Sequence, residues 1–183
     1  MHLTSRVVAA LVAALTAAAA AFAAPLAKDP LSLALRRQDC PTGGRYSLGR
    51  LPDEIAQGLR AIGVHGGGAY GSCDYARTAS GSLTLTFLVL ATGSAGQART
   101  AFASFKKELA GSSTTKVVLP GYGDQQLAVF EPEPGRAELV VRKRAVVWDL
   151  SLEPNGTRVL TKAQAVSALA TFARTQKTRV GAG

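Results

Sequence analysis

The chain has 183 residues, 47% of them hydrophobic, which is enough for a single domain with its own core. Its formal net charge of +9 favours acidic partners, although a basic surface also serves solubility alone. Two cysteines and two histidines are too few to form a zinc site if the cysteines are bonded to each other.

The first 23 residues have the pattern of a bacterial secretion signal. A short start containing Arg6 precedes an apolar run over 7–22, and Ala21-Phe22-Ala23 fits a small-x-small cleavage site. We expect cleavage after residue 23; the alternative is an uncleaved N-terminal anchor, for which the run is almost long enough. No cysteine follows the run closely enough to be acylated, so we expect no lipid anchor. The chain is therefore expected to be secreted or held in the cell envelope.

Removal of the signal would leave 20 basic and 12 acidic side chains, a net charge of +8. Residues 24–50 are rich in Pro, Gly, Arg and Asp without a sustained period, and we interpret them as a linker and N-terminal segment. A single α+β domain is expected over 51–175, and a flexible tail over 176–183. No spanning helix is expected in the mature chain.

The first half of the domain is predicted to contain one helix and two strands. Apolar residues share one helical face between Leu51 and Ile62, before Gly63. The stretch Gly66–Gly71 is interpreted as a flexible connector to a strand through Cys73. A second strand over 82–91 ends with apolar residues on both faces, which indicates a central position in the sheet.

A second helix and two short strands follow. Ser94 and Gln97 have the spacing of a capping box and open a helix that ends before Gly111. Short extended segments are predicted over 116–119 and 127–130, separated by a glycine turn.

The last elements are a hairpin and a helix. Strands over 137–141 and 145–152 flank a basic turn at residues 142–144, and Trp148 is expected to anchor the core. Thr161 begins a second capping box and a final helix. The predicted fold is α+β: a curved antiparallel sheet of about five to six strands, with two to three helices over one face and one disulfide.

Cys40 and Cys73 are the two cysteines of the chain, and an even count in an exported protein predicts one disulfide. A reactive thiol pair is the alternative, but redox pairs generally have Cys-x-x-Cys spacing.

No motif carries a complete set of catalytic or cofactor-binding residues. Gly66–Gly71 matches G-x-G-x-x-G but does not lie between a strand and a helix, so no cofactor is expected. His65 starts a His-Gly-Gly-Gly run, but the chain lacks a G-x-S-x-G nucleophile. A hydrolase in which His65 pairs with Asp74 or Asp124 and a serine remains an alternative.

Candidate ligand contacts are few, and no metal or nucleic-acid site is expected, because acidic residues lack calcium-loop spacing and basic residues lack interleaved aromatics. Tyr70 and Tyr122, both read as lying in glycine turns, are the aromatics expected to be exposed. The run Arg142, Lys143 and Arg144 could hold a polyanion.

Four short motifs resemble a group of small exported proteins and lipoproteins of unknown function from actinobacteria. They are Asp39-Cys40-Pro41, Ile62-Gly63, Cys73-Asp74-Tyr75 and the Pro-Gly-x-Gly-Asp turn at residues 120–124. Many such proteins are lipidated, whereas this chain has no acylation cysteine. The resemblance implies the disulfide and an envelope location, but no activity.

These observations favour a non-enzymatic binding or sensor-like accessory module of the bacterial envelope. Its partners would be an acidic envelope polymer, a lipid head group or another envelope protein. The alternatives are the His65 hydrolase and a basic surface that binds polyanions.

Overall fold

The computed structural model describes residues 29–78, 81–110, 114–157 and 159–181. The predicted signal peptide lies outside these residues. Within them, every helix is too short or too polar to cross a membrane.

The fold is α+β and is organised around one antiparallel sheet of seven strands. The strands are β1 (Arg45–Arg50), β2 (Gly66–Thr78), β3 (Gly81–Thr92), β4 (Thr115–Val117), β5 (Gln125–Glu131), β6 (Arg136–Lys143) and β7 (Val146–Gly156). Their order across the sheet is β1-β2-β3-β7-β6-β5-β4. Because β7 pairs with β3, the chain returns to the centre of the sheet after building the second edge.

Four α-helices and one 3₁₀ turn accompany the sheet in the described residues. The helices are α1 (Pro30–Leu33), α2 (Asp53–Ala61), α3 (Ala95–Ala110) and α4 (Lys162–Gly181), and the 3₁₀ turn is Arg37–Asp39. The prediction of five to six strands and two to three helices was therefore too low on both counts.

Helices cover both faces of the sheet, so the prediction that they lie over one face is wrong. The face that carries Leu85, Trp148 and Leu150 is called the front face. These residues pack in one core with α1 and α4. The back face carries Leu88 and Val140 and packs in a separate core with α2 and α3. A central strand with apolar residues on both faces requires a layer on each side, and β3 is such a strand.

The N-terminal segment is part of the fold, in contrast to the predicted linker over 24–50. From Asp29 onward it is described, with Leu33–Leu35 fully buried in the front core and β1 forming a sheet edge. The tail prediction is also wrong, since α4 continues to Gly181. Gln176 is buried in that last part of α4 and its side-chain amide donates to the carbonyl of Leu33 at 2.8 Å.

Several local predictions are confirmed. Cys40 and Cys73 are joined by a disulfide, with a Cα–Cα distance of 5.9 Å. Trp148 is fully buried. Thr161 and Gln164 form the reciprocal hydrogen bonds of a capping box at the start of α4.

The glycine stretch Gly66–Gly71 is the first part of β2 and not a connector. Its residues pair with β3 in regular register from Gly66 opposite Thr92 to Gly71 opposite Phe87. A Cβ at Gly71 would collide with the Phe87 ring and the Ser47 carbonyl, so this glycine is required for strand packing. These glycines therefore allow neighbouring groups to approach closely and do not serve as a flexible segment.

Candidate functional site

A cavity of about 170 Å³ lies on the back face, between α2 and the glycine-rich start of β2. Its walls include Leu59 of α2, Val64 of the following turn and Leu90 of β3, and its floor is the backbone of Gly66–Gly68. Gly68 brings the strands and helix together here, because a Cβ at this position would lie 3.0 Å from the side chains of Leu51 and Leu90. The missing side chains of β2 leave peptide backbone facing the helix.

Two arginines lie at the cavity. Arg50, the last residue of β1, and Arg60, near the end of α2, both line it and are exposed to solvent. The ion pairs found in the described part of the chain involve other arginines, at positions 136, 142 and 179. The lining therefore includes two exposed arginines that form no ion pair within the described residues, beside apolar side chains and glycine backbone.

Another part of the back face is polar. Strand register places Ser47, Ser72, Thr86, Ser151 and Glu138 side by side in one row across five strands. The Ser47 and Ser72 hydroxyls are hydrogen-bonded at 2.9 Å. We call the surface formed by these five residues the polar half of the back face.

Three carboxyl groups meet at the border between the apolar and polar parts of the back face. Glu138 and Asp149 are only 4% and 7% exposed, and Glu108 of α3 is half-buried above them. Burial raises the pKa of Glu108 to about 7 and, with nearby carboxylates, that of Glu138 to about 7. Burial and the charge of Glu138 raise the pKa of Asp149 well above its usual range. These groups therefore retain protons at pH values where most carboxyls are ionised.

Of the two acidic partners considered for His65 in the alternative hydrolase, Asp74 lies far from it. His65 immediately precedes β2, whereas Asp74 lies eight residues beyond Gly66 in the same strand, about 26 Å from Gly66 at the usual rise of a strand. Asp74 instead accepts a hydrogen bond from the Thr84 hydroxyl at 2.6 Å. Asp124 accepts from the backbone N–H of Arg144 at 2.7 Å. The structure thus does not bring His65 and Asp74 together, and Asp124 already has hydrogen-bonding partners.

The expectation that Tyr70 and Tyr122 are exposed in turns is wrong. Tyr70 is a half-buried strand residue of the back face; burial raises its pKa, and its hydroxyl is hydrogen-bonded to Thr86. Tyr122 is 2% exposed and packs edge-on against Trp148 in the front core, with ring centroids 6.3 Å apart. Tyr70 borders the polar half, whereas Tyr122 belongs to the core.

The three basic residues of the hairpin do not act as one exposed group. The Arg142 guanidinium is 11% exposed, bonds to the side chain of Gln125 at 2.8 Å and forms an ion pair with Asp124 at 3.3 Å. Lys143 follows it in β6 and points to the opposite face. Of the three, Arg144 is exposed, whereas Arg142 and Lys143 are partly buried. The hairpin therefore offers one exposed cation, which does not support a focused polyanion site.

The cavity arginines and the carboxyl cluster were not predicted from the sequence. Arg50 and Arg60 are separated by a turn and a helix, and Glu138 and Asp149 by a strand reversal. One signal was available for the cluster: acidic residues in the middle of apolar strands are unusual and suggest burial.

No family model matches this chain, and no curated protein is similar to it in sequence. Among solved structures it is weakly similar to the extracellular domain of PknH from Mycobacterium tuberculosis, with a TM-score of 0.46 and 14% identity. The match covers 85% of this chain and 99% of that one. Because a similarity of this strength assigns no family or function, the resemblance to small exported actinobacterial proteins stays a prediction.

Proposed function

We propose that this chain is an exported, non-enzymatic binding module that takes a small amphipathic anion into the cavity between α2 and β2. The ligand would carry a carboxylate or phosphate group and a short apolar body. Its anionic group would meet Arg50 and Arg60 at the rim, and its apolar part would lie against Leu59, Val64 and Leu90.

The observation that carries this proposal is the presence of two exposed arginines, without ion pairs in the described residues, among the residues that line a cavity with Leu59, Val64 and Leu90. Arginine presents a planar set of N–H donors that matches carboxylate and phosphate oxygens. An anion bound at this cavity would be attracted by both positive charges. Arg50 and Arg60 would thus favour a ligand with an anionic head group.

The size of the cavity limits the apolar part of the ligand. An apolar protein cavity of about 150 Å³ holds one benzene molecule, and the cavity described here has about 170 Å³. A single ring or a chain of about six carbons therefore fits within this volume.

Export is the second part of the proposal. The predicted signal peptide supports it, and so does the disulfide between Cys40 and Cys73, because disulfides persist outside the reducing cytoplasm. A module of this kind would report or deliver a small ligand in the envelope.

Titration calorimetry with benzoate and hexanoate tests the proposal. For ligands of this size we expect Kd values on the order of 0.1–1 mM at low salt. Replacement of Arg50 and Arg60 by Gln should weaken binding by at least about tenfold. Ala56→Leu should fill the cavity and abolish binding without changing the charge.

The matched control is the double variant Arg37→Gln with Arg99→Gln, which removes two exposed arginines away from the cavity. It should bind like the unmodified protein. Equal losses in both double variants would show non-specific attraction to the basic surface, and the absence of saturable binding at 10 times the expected Kd would refute the site.

A further inference from the structure

Three carboxyl groups on the back face each have a buried oxygen without a hydrogen-bond partner. These atoms are Glu108 Oε2, Glu138 Oε1 and Asp149 Oδ1. A buried acceptor without a partner is rare in folded proteins and costs free energy. Three of them on adjoining residues therefore require an explanation.

Register and helix packing bring the three groups together. Asp149 lies opposite Val140, and Glu138 lies opposite Ser151, so Glu138 and Asp149 are diagonal neighbours on the same face of β6 and β7. Diagonal neighbours are about 7 Å apart and within reach of long side chains. Glu108 comes from the last turn of α3, which packs on β6 and β7, and its charge acts on both other carboxyls.

Among the described residues, one cation, Arg136, acts on both Glu138 and Asp149, and it is already engaged. Arg136 of β6 donates to Glu131 of β5 at 2.7 Å. Glu153 of β7 adds a further negative charge near Glu138, and the hydroxyl of Tyr70 on β2 lies within the field of Asp149. Full ionisation of the three carboxyls would thus leave an excess of negative charge in a desolvated place.

Protonation would relieve both the missing hydrogen bonds and the excess of negative charge. The orphan oxygens are buried, so a larger ligand does not reach them without a rearrangement, whereas a proton does. A protonated carboxyl gains an O–H donor that a carboxyl oxygen brought within reach can accept. Glu108 has an additional reason to stay neutral, because the negative end of the helix dipole lies at the last turn of α3.

We propose that Glu108, Glu138 and Asp149 form a proton-sharing latch that holds the last turn of α3 on the sheet when protonated and releases it when deprotonated. The last turn contains the buried Leu109 and follows the turn that contains the buried Phe105. The latch is separate from the anion cavity and does not depend on it. It gives the module a response to pH in addition to ligand binding.

The direction of the response follows from linkage. The folded-state pKa values of Glu108 and Glu138 are about 7, above the ordinary value of 4.5. The stabilisation is therefore fully present below pH 4.5 and is lost as the pH rises through about 7. Asp149 shifts in the same direction and adds to the loss.

Hydrogen exchange of the purified full chain, read by mass spectrometry and corrected for intrinsic exchange rates, tests the latch. Between pH 5 and pH 8, protection over residues 105–110 should fall by about tenfold or more, while protection in α4 changes less. The triple variant Glu108→Gln, Glu138→Gln and Asp149→Asn mimics the neutral groups. Its protection over 105–110 should not depend on pH.

Glu133→Gln, a substitution in an exposed turn, is the matched control and should retain the pH response. Should the triple variant fold poorly, Glu108→Gln alone, at a half-buried helix position, should reduce the pH response. The latch is overturned if the unmodified chain has no pH response at 105–110. It is equally overturned if Glu108→Gln and the triple variant respond as the unmodified chain does, or if α3 and α4 lose protection to the same extent.

Discussion

Arg179, near the end of the last helix, donates two hydrogen bonds to the carboxylate of Asp39, at 2.6 and 2.8 Å. Both side chains are largely buried, at 15% and 10% exposure. One residue beyond Asp39, Cys40 is bonded to Cys73 in β2. The N-terminal segment is thus fixed to α4 by an ion pair and to the sheet by a covalent bond.

We expect Asp39→Asn to lower the free energy of unfolding by about 2 kcal/mol at pH 7, because it leaves the Arg179 guanidinium without its charged partner. Burial opposes ionisation of Asp39, but the hydrogen bonds from Arg179 and the Arg36 backbone outweigh it, so the pKa lies below 3.8. The stabilisation of the folded state by the Asp39–Arg179 ion pair is therefore present above pH 3.8 and is lost as the pH falls further.

Urea unfolding at pH 7 and pH 3 measures this effect. The difference in the free energy of unfolding between the unmodified protein and Asp39→Asn should be smaller at pH 3 than at pH 7. A double-mutant cycle with Arg179→Gln should give a coupling energy of about 1 kcal/mol or more. A coupling energy near zero would mean that the ion pair does not hold the segment.

The disulfide should be structural. We expect Cys40 and Cys73 to be unreactive toward a thiol reagent until the protein is reduced. Replacement of both by Ser should cost about 3–4 kcal/mol, because the bond closes a loop between residues 33 positions apart. Guanidinium unfolding of the oxidised, reduced and Cys40→Ser/Cys73→Ser proteins provides the measurement. Labelling of both thiols in the untreated native protein would contradict this assignment.

Two glycines of neighbouring strands should respond differently to the same substitution. A Cβ at Gly71 would overlap the Phe87 ring and the Ser47 carbonyl, whereas one at Gly49 has nothing within 4 Å. Gly71→Ala should therefore destabilise the protein by about 1–3 kcal/mol, while Gly49→Ala should be close to neutral. Thermal unfolding of the two variants compares them directly, and equal changes would rule out close packing as the reason for Gly71.

Most elements could be predicted from sequence because their signals are local. The caps at Ser94 and Thr161 and the alternation around Trp148 each lie within a few residues. The number of layers was misjudged although β3 carried the signal, since its apolar second face has to be covered by a helix. The segment before Cys40 was missed because its buried part is only a few residues long.

The candidate sites could not be predicted in the same way, because strand register and helix placement create them. Glu138 and Asp149 become neighbours only when β6 pairs with β7 in the observed register. Arg50 and Arg60 line one cavity only because α2 packs against a strand that begins with glycines. The glycine stretch was interpreted as a flexible connector, but in β2 these glycines serve strand packing and line the cavity.

Binding of a small anion between α2 and β2 can be followed by NMR with methyl-labelled Leu and Val during titration with benzoate. We expect saturable shifts at Leu59, Val64 and Leu90 on the cavity wall. The front-core methyl groups of Leu139 and Leu150 should not shift. Shifts confined to the front core, or none at concentrations above the expected Kd, would contradict binding at this cavity.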